Sequence, residues 1–227
     1  MQVFDCSDND QLLTGMRAAK VAVSKGQLVV LPTDTVYGIG CDAFSAAAVT
    51  RLLAAKGRDR QSPPPVLIKD AKVMNALAEF VPQVARDLAT AFWPGALTLI
   101  LKSQPSLQWD LGETKGTVAL RVPDHKIALA LLEETGPMAV SSANLTGKPA
   151  ATNAQQAVDC LGESVESYLD AGESPKGEAS TILDLTDITD SYDENGNATS
   201  TGEIRLVRLG ALSVAAIREV AGDLLAV

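Results

Sequence analysis

The chain is constrained first by a series of short apolar runs that stop abruptly. QLVVL (residues 27–31) ends at Pro32, and TVALRV (117–122) ends at Pro123. ALTLILK (96–102) begins after Pro94-Gly95, and MAVSS (138–142) runs into the polar stretch around Asn144. Such runs read as buried strands. Further strands are expected at 66–69 and near 167–170, 181–185 and 204–208. Helical sequence lies between them. Residues 11–26 carry Leu12, Leu13, Met16, Ala19 and Val23 on one stripe, with Gly26 suited to the C-terminal cap. Ser45 opens a helix to about Lys56 with Val49, Leu52 and Leu53 facing inward. Helical sequence spans 70–93 with a break at Pro82, and again 125–135. A capping box of Thr152 and Gln155 opens a helix to Leu161, and a last helix starts near Ser213. Strands and helices mix throughout, with hairpin-like pairs late in the chain. The expected class is α/β (α+β), a single domain over residues 1–227 with a mixed β-sheet flanked by helices. Residues 191–203, SYDENGNATSTGE, read as an acidic exposed connector within it, in the form of a hairpin loop.

Composition narrows the chemistry. The chain has 28 acidic and 19 basic residues, a net charge of −9. Most of the surface should repel phosphate backbones and anionic membranes. The first residues, MQVFDCSDND, lack the basic and apolar segments of a signal peptide, and no apolar run is long enough to span a bilayer. Cys6, Cys41 and Cys160 are odd in number and widely spaced, which fits neither a disulfide framework nor a CxxC metal site and suits a reducing cytoplasm. The single histidine, His125, excludes a multi-histidine zinc site, and no metal-ligating set is expected.

Six segments carry candidate chemistry, two of them short: EASTILD (178–184), where Ser180 and Thr181 enter a strand, and RLVRLG (205–210), where Arg208 precedes Gly210. LPTDTVYGIGCDA (31–43) follows a buried strand and offers Thr33, Asp34, Thr35 and Tyr37 where open sheets bind ligands. Its Gly38-x-Gly40-x-x-Ala43 is a weak match to a dinucleotide fingerprint, because Pro32 ends the strand well before Gly38. AAKGRDRQSPPPVLI (54–68) clusters Lys56, Arg58 and Arg60 before a stiff proline run, so an anion such as phosphate would relieve their repulsion. The alternative is a solvated basic helix end. AVSSANLTGKPAAT (139–152) brings Ser141, Ser142 and Asn144 to a strand end, as donors and acceptors for a ligand or as an ordinary polar turn. TVALRVPDH (117–125) buries Arg121 in an apolar strand, which demands an anionic partner from a ligand or from the protein. GxxxxGK[ST] and GxSxG motifs are both absent.

Together these segments resemble the YrdC-like threonylcarbamoyl-AMP synthase family. The similar motifs are PTDTVYGIG (32–40), KGR (56–58), WPGALT (93–98), RVPDH (121–125), SSAN (141–144), STILD (180–184) and RLG (208–210), in family order across nearly the whole chain. The resemblance implies a twisted sheet with a positively charged concave ligand-binding face. It implies an L-threonylcarbamoyladenylate synthase, a nucleotidyltransferase that makes threonylcarbamoyl-AMP and pyrophosphate from L-threonine, bicarbonate or CO2, and ATP. The product serves threonylcarbamoyl modification of tRNA. The family's catalytic signature falls on Lys56, Arg58, Ser142 and Asn144. ATP binding is carried over to Lys56, Arg58, Ser62, Thr117, Ser142, Asn144 and Arg208, and threonine binding to Thr35, Arg121 and Ser180.

ATP is thus expected as a substrate, with magnesium bound to it. Downstream tRNA threonylcarbamoyl-transfer proteins are expected partners, with a cytoplasmic location and no stable direct tRNA binding. Two departures stand out. Leu67 or Ile68 occupies the place where the family often has a histidine that helps bind threonine, and Ala150 stands where a serine often follows the proline. The match is to short family members, without the extra C-terminal domain of longer ones. The rival expectations are a carbamoyl-adenylate enzyme with another substrate, and a non-catalytic RNA-binding module.

The charge is uneven. Residues 151–203 hold 12 acids and one base, Lys176, a net of −11, while the other 174 residues hold 16 acids and 18 bases, a net of +2. Every basic residue assigned to the ligand lies in the slightly positive part, so the acidic total leaves room for an anion-binding groove.

Overall fold

A computed structural model describes residues 1–226. Its strands are β1 (Gln2–Asp5), β2 (Val29–Leu31), β3 (Gly38–Asp42), β4 (Val66–Leu67), β5 (Leu97–Lys102), β6 (Thr117–Arg121), β7 (Met138–Ser142), β8 (Ser167–Asp170), β9 (Thr181–Asp184), β10 (Thr189–Tyr192), β11 (Ala198–Thr201), β12 (Ile204–Arg208) and β13 (Leu225–Ala226). The helices are α1 (Asn9–Ser24), α2 (Ala46–Lys56), α3 (Met74–Leu77), α4 (Gln83–Phe92), α5 (Lys126–Thr135), α6 (Ala154–Leu161) and α7 (Val214–Ala221). Eleven strands form one mixed sheet in the order β1-β8-β2-β3-β7-β4-β6-β5-β9-β12-β13. The expected α/β class with a central mixed sheet is what the chain adopts.

The sheet has two unequal faces. On one, α1 and α5 bury Ala19, Ala22, Val23, Leu131 and Leu132 against Val29, Leu31, Leu67, Met138 and Val140. The opposite face holds the larger core, with Leu52, Leu88, Leu97, Leu99, Leu120 and Ile217. Along β5 and β6 the side chains alternate: Leu97, Leu99 and Leu120 go to that core, while Thr98, Ile100, Ala119 and Arg121 project to the other side. There they line a cavity.

Several elements differ from the sequence-based expectation. The segment after Pro32 is not a turn throughout: its glycines lie inside β3, paired antiparallel with β2 and β7. A Cβ on Gly38 would come within 2.6 Å of Val140 Cγ1, and one on Gly40 within 2.9 Å of Cγ2. These glycines therefore serve strand packing, and the dinucleotide fingerprint is ruled out by geometry. β1 escapes periodicity because it is largely exposed; parallel pairing with β8 holds it. The cap of α6 is Asn153, whose side chain accepts from Gln156 N, and Gln156 Oε1 in turn accepts from Thr152 N, so the expected box is displaced by one residue. The 191–203 connector, read from sequence as a hairpin loop, forms most of the β10–β11 hairpin; what the sequence does not show is that it has a structural task. Pro82 opens α4 without a side-chain cap of its own. Asp190 Oδ2 accepts from Gln83 N at 2.8 Å and Ser200 Oγ from Val84 N at 3.1 Å, so the hairpin caps that helix.

Candidate active site

The cavity encloses about 270 Å³ over β6, β5 and β9. Of the residues expected in the site, Thr35, Arg58, Thr117, Arg121, Ser142, Ser180 and Arg208 line it, and Lys56, Ser62 and Asn144 do not.

The expected cluster of three cations is dispersed. α2 ends at Lys56, and Gly57 takes a left-handed φ of 63°, which reverses the chain. Lys56 is fully buried, and its ammonium donates to Ser142 O, to Asn144 O at 2.7 Å and to Asn144 Oδ1 at 3.4 Å. Those three acceptors match the three N–H donors of an ammonium. Asn144 Nδ2 donates to Leu145 O and Lys148 O, so it is occupied as well. Burial and the neighbouring Arg58 pull the Lys56 pKa down to about 8. A signal for this was present: Lys56 continues the inward stripe of Val49, Leu52 and Leu53. Arg60 turns away and pairs with Asp110 at 2.6 Å. Its carbonyl accepts from Glu113 N at 2.7 Å, and a Cβ on Gly112 would meet that carbonyl oxygen at 2.7 Å. Arg60 thereby pins the segment that brings Leu111 and Thr114 to the cavity. Ser62 is exposed, while Pro63, Pro64 and Pro65 form the wall. Arg58 alone of the three cations lines the cavity, with NH1 donating to Ser141 Oγ at 3.0 Å.

Arg121 is held on three sides. Nε donates to Gly95 O at 2.8 Å, NH1 to Thr35 Oγ1 at 2.9 Å, and NH2 to Asp34 Oδ1. The anionic partner demanded by its burial thus comes from the protein. A guanidinium has five N–H donors, so two remain for a ligand. Thr33 Oγ1 donates to Val36 O at 2.6 Å and accepts from Thr35 N at 3.2 Å, which fixes the loop that carries Asp34 and Thr35. Asp34 is the residue whose role the sequence did not single out.

The third wall comes from β9 and β12. Arg208 donates from Nε and NH2 to Ser180 O at 3.0 and 2.7 Å, and from NH2 to Ser180 Oγ at 3.1 Å. Ser180 Oγ lies 2.8 Å from Thr98 Oγ1. A register shift between Leu206 and Arg208 marks a bulge, and both Val207 and Arg208 reach the cavity there. Gly210 sits so close that a Cβ would be 2.1 Å from Ala179 O.

Burial lowers the pKa of Arg58, Arg121 and Arg208, opposed at Arg121 by Asp34, yet a guanidinium stays charged. No carboxylate lines the cavity among the described residues. His125 lies outside it; burial lowers its pKa. Beside Leu67, the apolar lining of Ile100, Val140 and Ile182 carries no motif of its own, although strand alternation places these residues on one face. Leu67, not Ile68, stands at the cavity, because Ile68 points into the larger core.

This fold and its arginine-lined cavity define a class of protein. The Sua5–YciO–YrdC family model, described as telomere recombination, matches residues 21–192, and the chain belongs to that family. A Mycobacterium leprae protein provisionally named threonylcarbamoyl-AMP synthase is 51% identical over 97% of this chain and 94% of its own length. The crystal structure of P. abyssi Sua5 complexed with L-threonine superposes with a TM-score of 0.86 at 32% identity, covering 98% of this chain. This chain spans 62% of that Sua5 chain. E. coli YciO superposes with a TM-score of 0.77 at 28% identity, over 95% of this chain and 98% of its own.

Proposed function

We propose that this chain is an L-threonylcarbamoyladenylate synthase that forms threonylcarbamoyl-AMP and pyrophosphate from L-threonine, bicarbonate or CO2, and ATP. The observation that carries the reading is the convergence of Arg58, Arg121 and Arg208, from three separate segments, on one cavity without a lining acid. Such a cavity suits two anionic substrates held side by side.

In this reading the two free N–H groups of Arg121 take the amino-acid carboxylate, and the hydroxyls of Thr35 and Ser180 lie within the same subsite. The threonine amine adds to CO2 and loses a proton, giving a carbamate. A carbamate oxygen attacks the α-phosphorus, and the bond to the β-phosphate oxygen breaks, its electron pair leaving with pyrophosphate. Arg58 and Arg208 neutralise the charge that grows on the leaving group, with Ser142 and Thr117 as hydrogen-bonding partners. Lys56 and Asn144 act one layer behind, holding the end of β7 and the loop after it in shape. Ser62 stands outside the cavity lining, on the exposed stretch before Pro63.

Magnesium enters with the nucleotide. The cavity offers it no carboxylate, and among the described residues no group of three or more histidine, cysteine or acidic side chains is placed to hold a metal ion. Phosphates and water would carry it. No described helix is long and apolar enough to cross a membrane. A cytoplasmic location fits tRNA modification, with hand-over of the adenylate to threonylcarbamoyl-transfer proteins and no stable tRNA binding. An RNA-binding module is disfavoured because the cations sit inside a small cavity.

The position of Leu67 favours one second reading, a carbamoyl adenylate built on a different amine, since an apolar side chain replaces a hydrogen-bonding one. Mass spectrometry after incubation with ATP, bicarbonate and L-threonine tests the first reading: a threonine-dependent AMP adduct is expected. Adduct formation with another amino acid in preference to threonine would support the second, and none with any would overturn both.

A further inference from the structure

Arg121 alone does not make an anion site. Asp34 faces it as a buried acid, its side chain 4% exposed, and the two charges cancel. An incoming carboxylate would gain little from a neutral pair, and Asp34 itself would repel it. Asp34 Oδ1 is occupied, accepting from Arg121 NH2 and from Asp124 N at 3.0 Å. Asp34 Oδ2 is buried and has no hydrogen-bond partner. The second cation in ion-pair range of Asp34, among the described residues, is Lys176, with Nζ 3.8 Å from Oδ2 and a side chain 44% exposed. Lys176 is also the only base in residues 151–203, among 12 acids.

The segment that carries Lys176 is anchored at both ends of its span. Tyr37 OH donates to Gly172 O at 2.7 Å and accepts from Ala171 N at 2.9 Å. Ser174 N donates to Thr152 O at 2.7 Å, and at the other end Ala179 O accepts from Ala211 N at 2.9 Å. Lys176 is therefore presented to Asp34 from a strap held on both sides of it.

We propose that Lys176 is a positioning residue for amino-acid binding, acting through Asp34: by countering the free carboxylate oxygen it leaves the Arg121 site with net positive charge. This inference rests on the proposed function and deepens it. It assigns a substrate-affinity role to a residue outside the cavity lining, in the most acidic third of the chain.

The test is the L-threonine dependence of adduct formation for wild type, Lys176→Met and Lys176→Arg, at about 0.1 M and about 1 M salt. Lys176→Met should raise the KM for L-threonine about fivefold at low salt, the size of a partly exposed ion pair. The kcat and the KM for ATP should stay as in wild type. Lys176→Arg should restore the affinity, and the gap should close at high salt, which a merely structural role would not predict. Where wild type binds L-threonine without forming adduct, the calorimetric Kd takes the place of KM. An unchanged threonine affinity in Lys176→Met at low salt overturns the inference alone. A wild-type chain that neither binds L-threonine nor forms adduct overturns the proposed function and this inference with it.

Discussion

Two buried cations flank the cavity, and they are used differently. Lys56 lies behind the end of β7 and the loop that follows it, with its three donors occupied by neutral oxygens of one short segment. Arg121 lies behind the Thr35 loop with three donors occupied, one of them by a buried acid. The difference follows from their geometry. An ammonium is a compact charge that can gather several carbonyls, and nothing of it is left over. A guanidinium is a planar fork that can be held firmly along some edges and still offer others. One region therefore fixes the shape of a loop, and the other both fixes a loop and presents a binding edge.

This contrast can be broken at several points. The largest effect is expected at Arg121→Ala, which leaves Asp34 buried without its principal partner. Stability should fall by about 3–5 kcal/mol, and threonine binding should be lost with it. Arg121→Lys keeps a charge and should fold, with threonine affinity reduced more than stability; calorimetry and urea unfolding read the two. Lys56→Met should cost about 2–4 kcal/mol through the unsatisfied acceptors, lowering the Tm by roughly 4–16 °C and turnover at least about tenfold. Arg58→Ala, at the cavity edge, should retain the Tm and lower turnover at least about tenfold, equivalent to ~1.4 kcal/mol. A Tm drop like that of Lys56→Met would merge two roles that the structure separates.

The same burial gives a pH dependence. Lys56 has a folded pKa of about 8, below its ordinary value of 10.5, because burial disfavours its charge. Between those two values the unfolded chain binds more protons, so this group's contribution to stability rises with pH across that window. Below it the cost of burying the charge is present in full. Urea unfolding from pH 7.5 to 9.5 should show the rise in wild type and lose that component in Lys56→Met.

The strand runs that end at prolines or polar clusters were legible because burial on both faces leaves an unbroken apolar signature. β3 was not, since a strand with glycines at 38 and 40 has the composition of a turn, and only the methyls of Val140 across the register explain it. Arg58, Arg121 and Arg208 could be picked out as charges in or beside apolar strands or glycines. What the sequence hides is direction. Lys56 and Arg58 are two residues apart with similar chemistry, and the left-handed turn at Gly57 sends one into the core and the other to the cavity. Nor does local sequence tell that Lys176 and Asp34, far apart in the chain, meet behind Arg121.

The central claim is that the free edge of Arg121 receives the amino-acid carboxylate while Lys56 stays on its carbonyls. A crystal structure with L-threonine and a non-hydrolysable ATP analogue tests it most directly. The account predicts carboxylate oxygens within about 3 Å of the two unoccupied Arg121 N–H groups, with phosphates at Arg58 and Arg208. A carboxylate on Arg58 or Arg208, or a Lys56 ammonium turned to the phosphates, would contradict it.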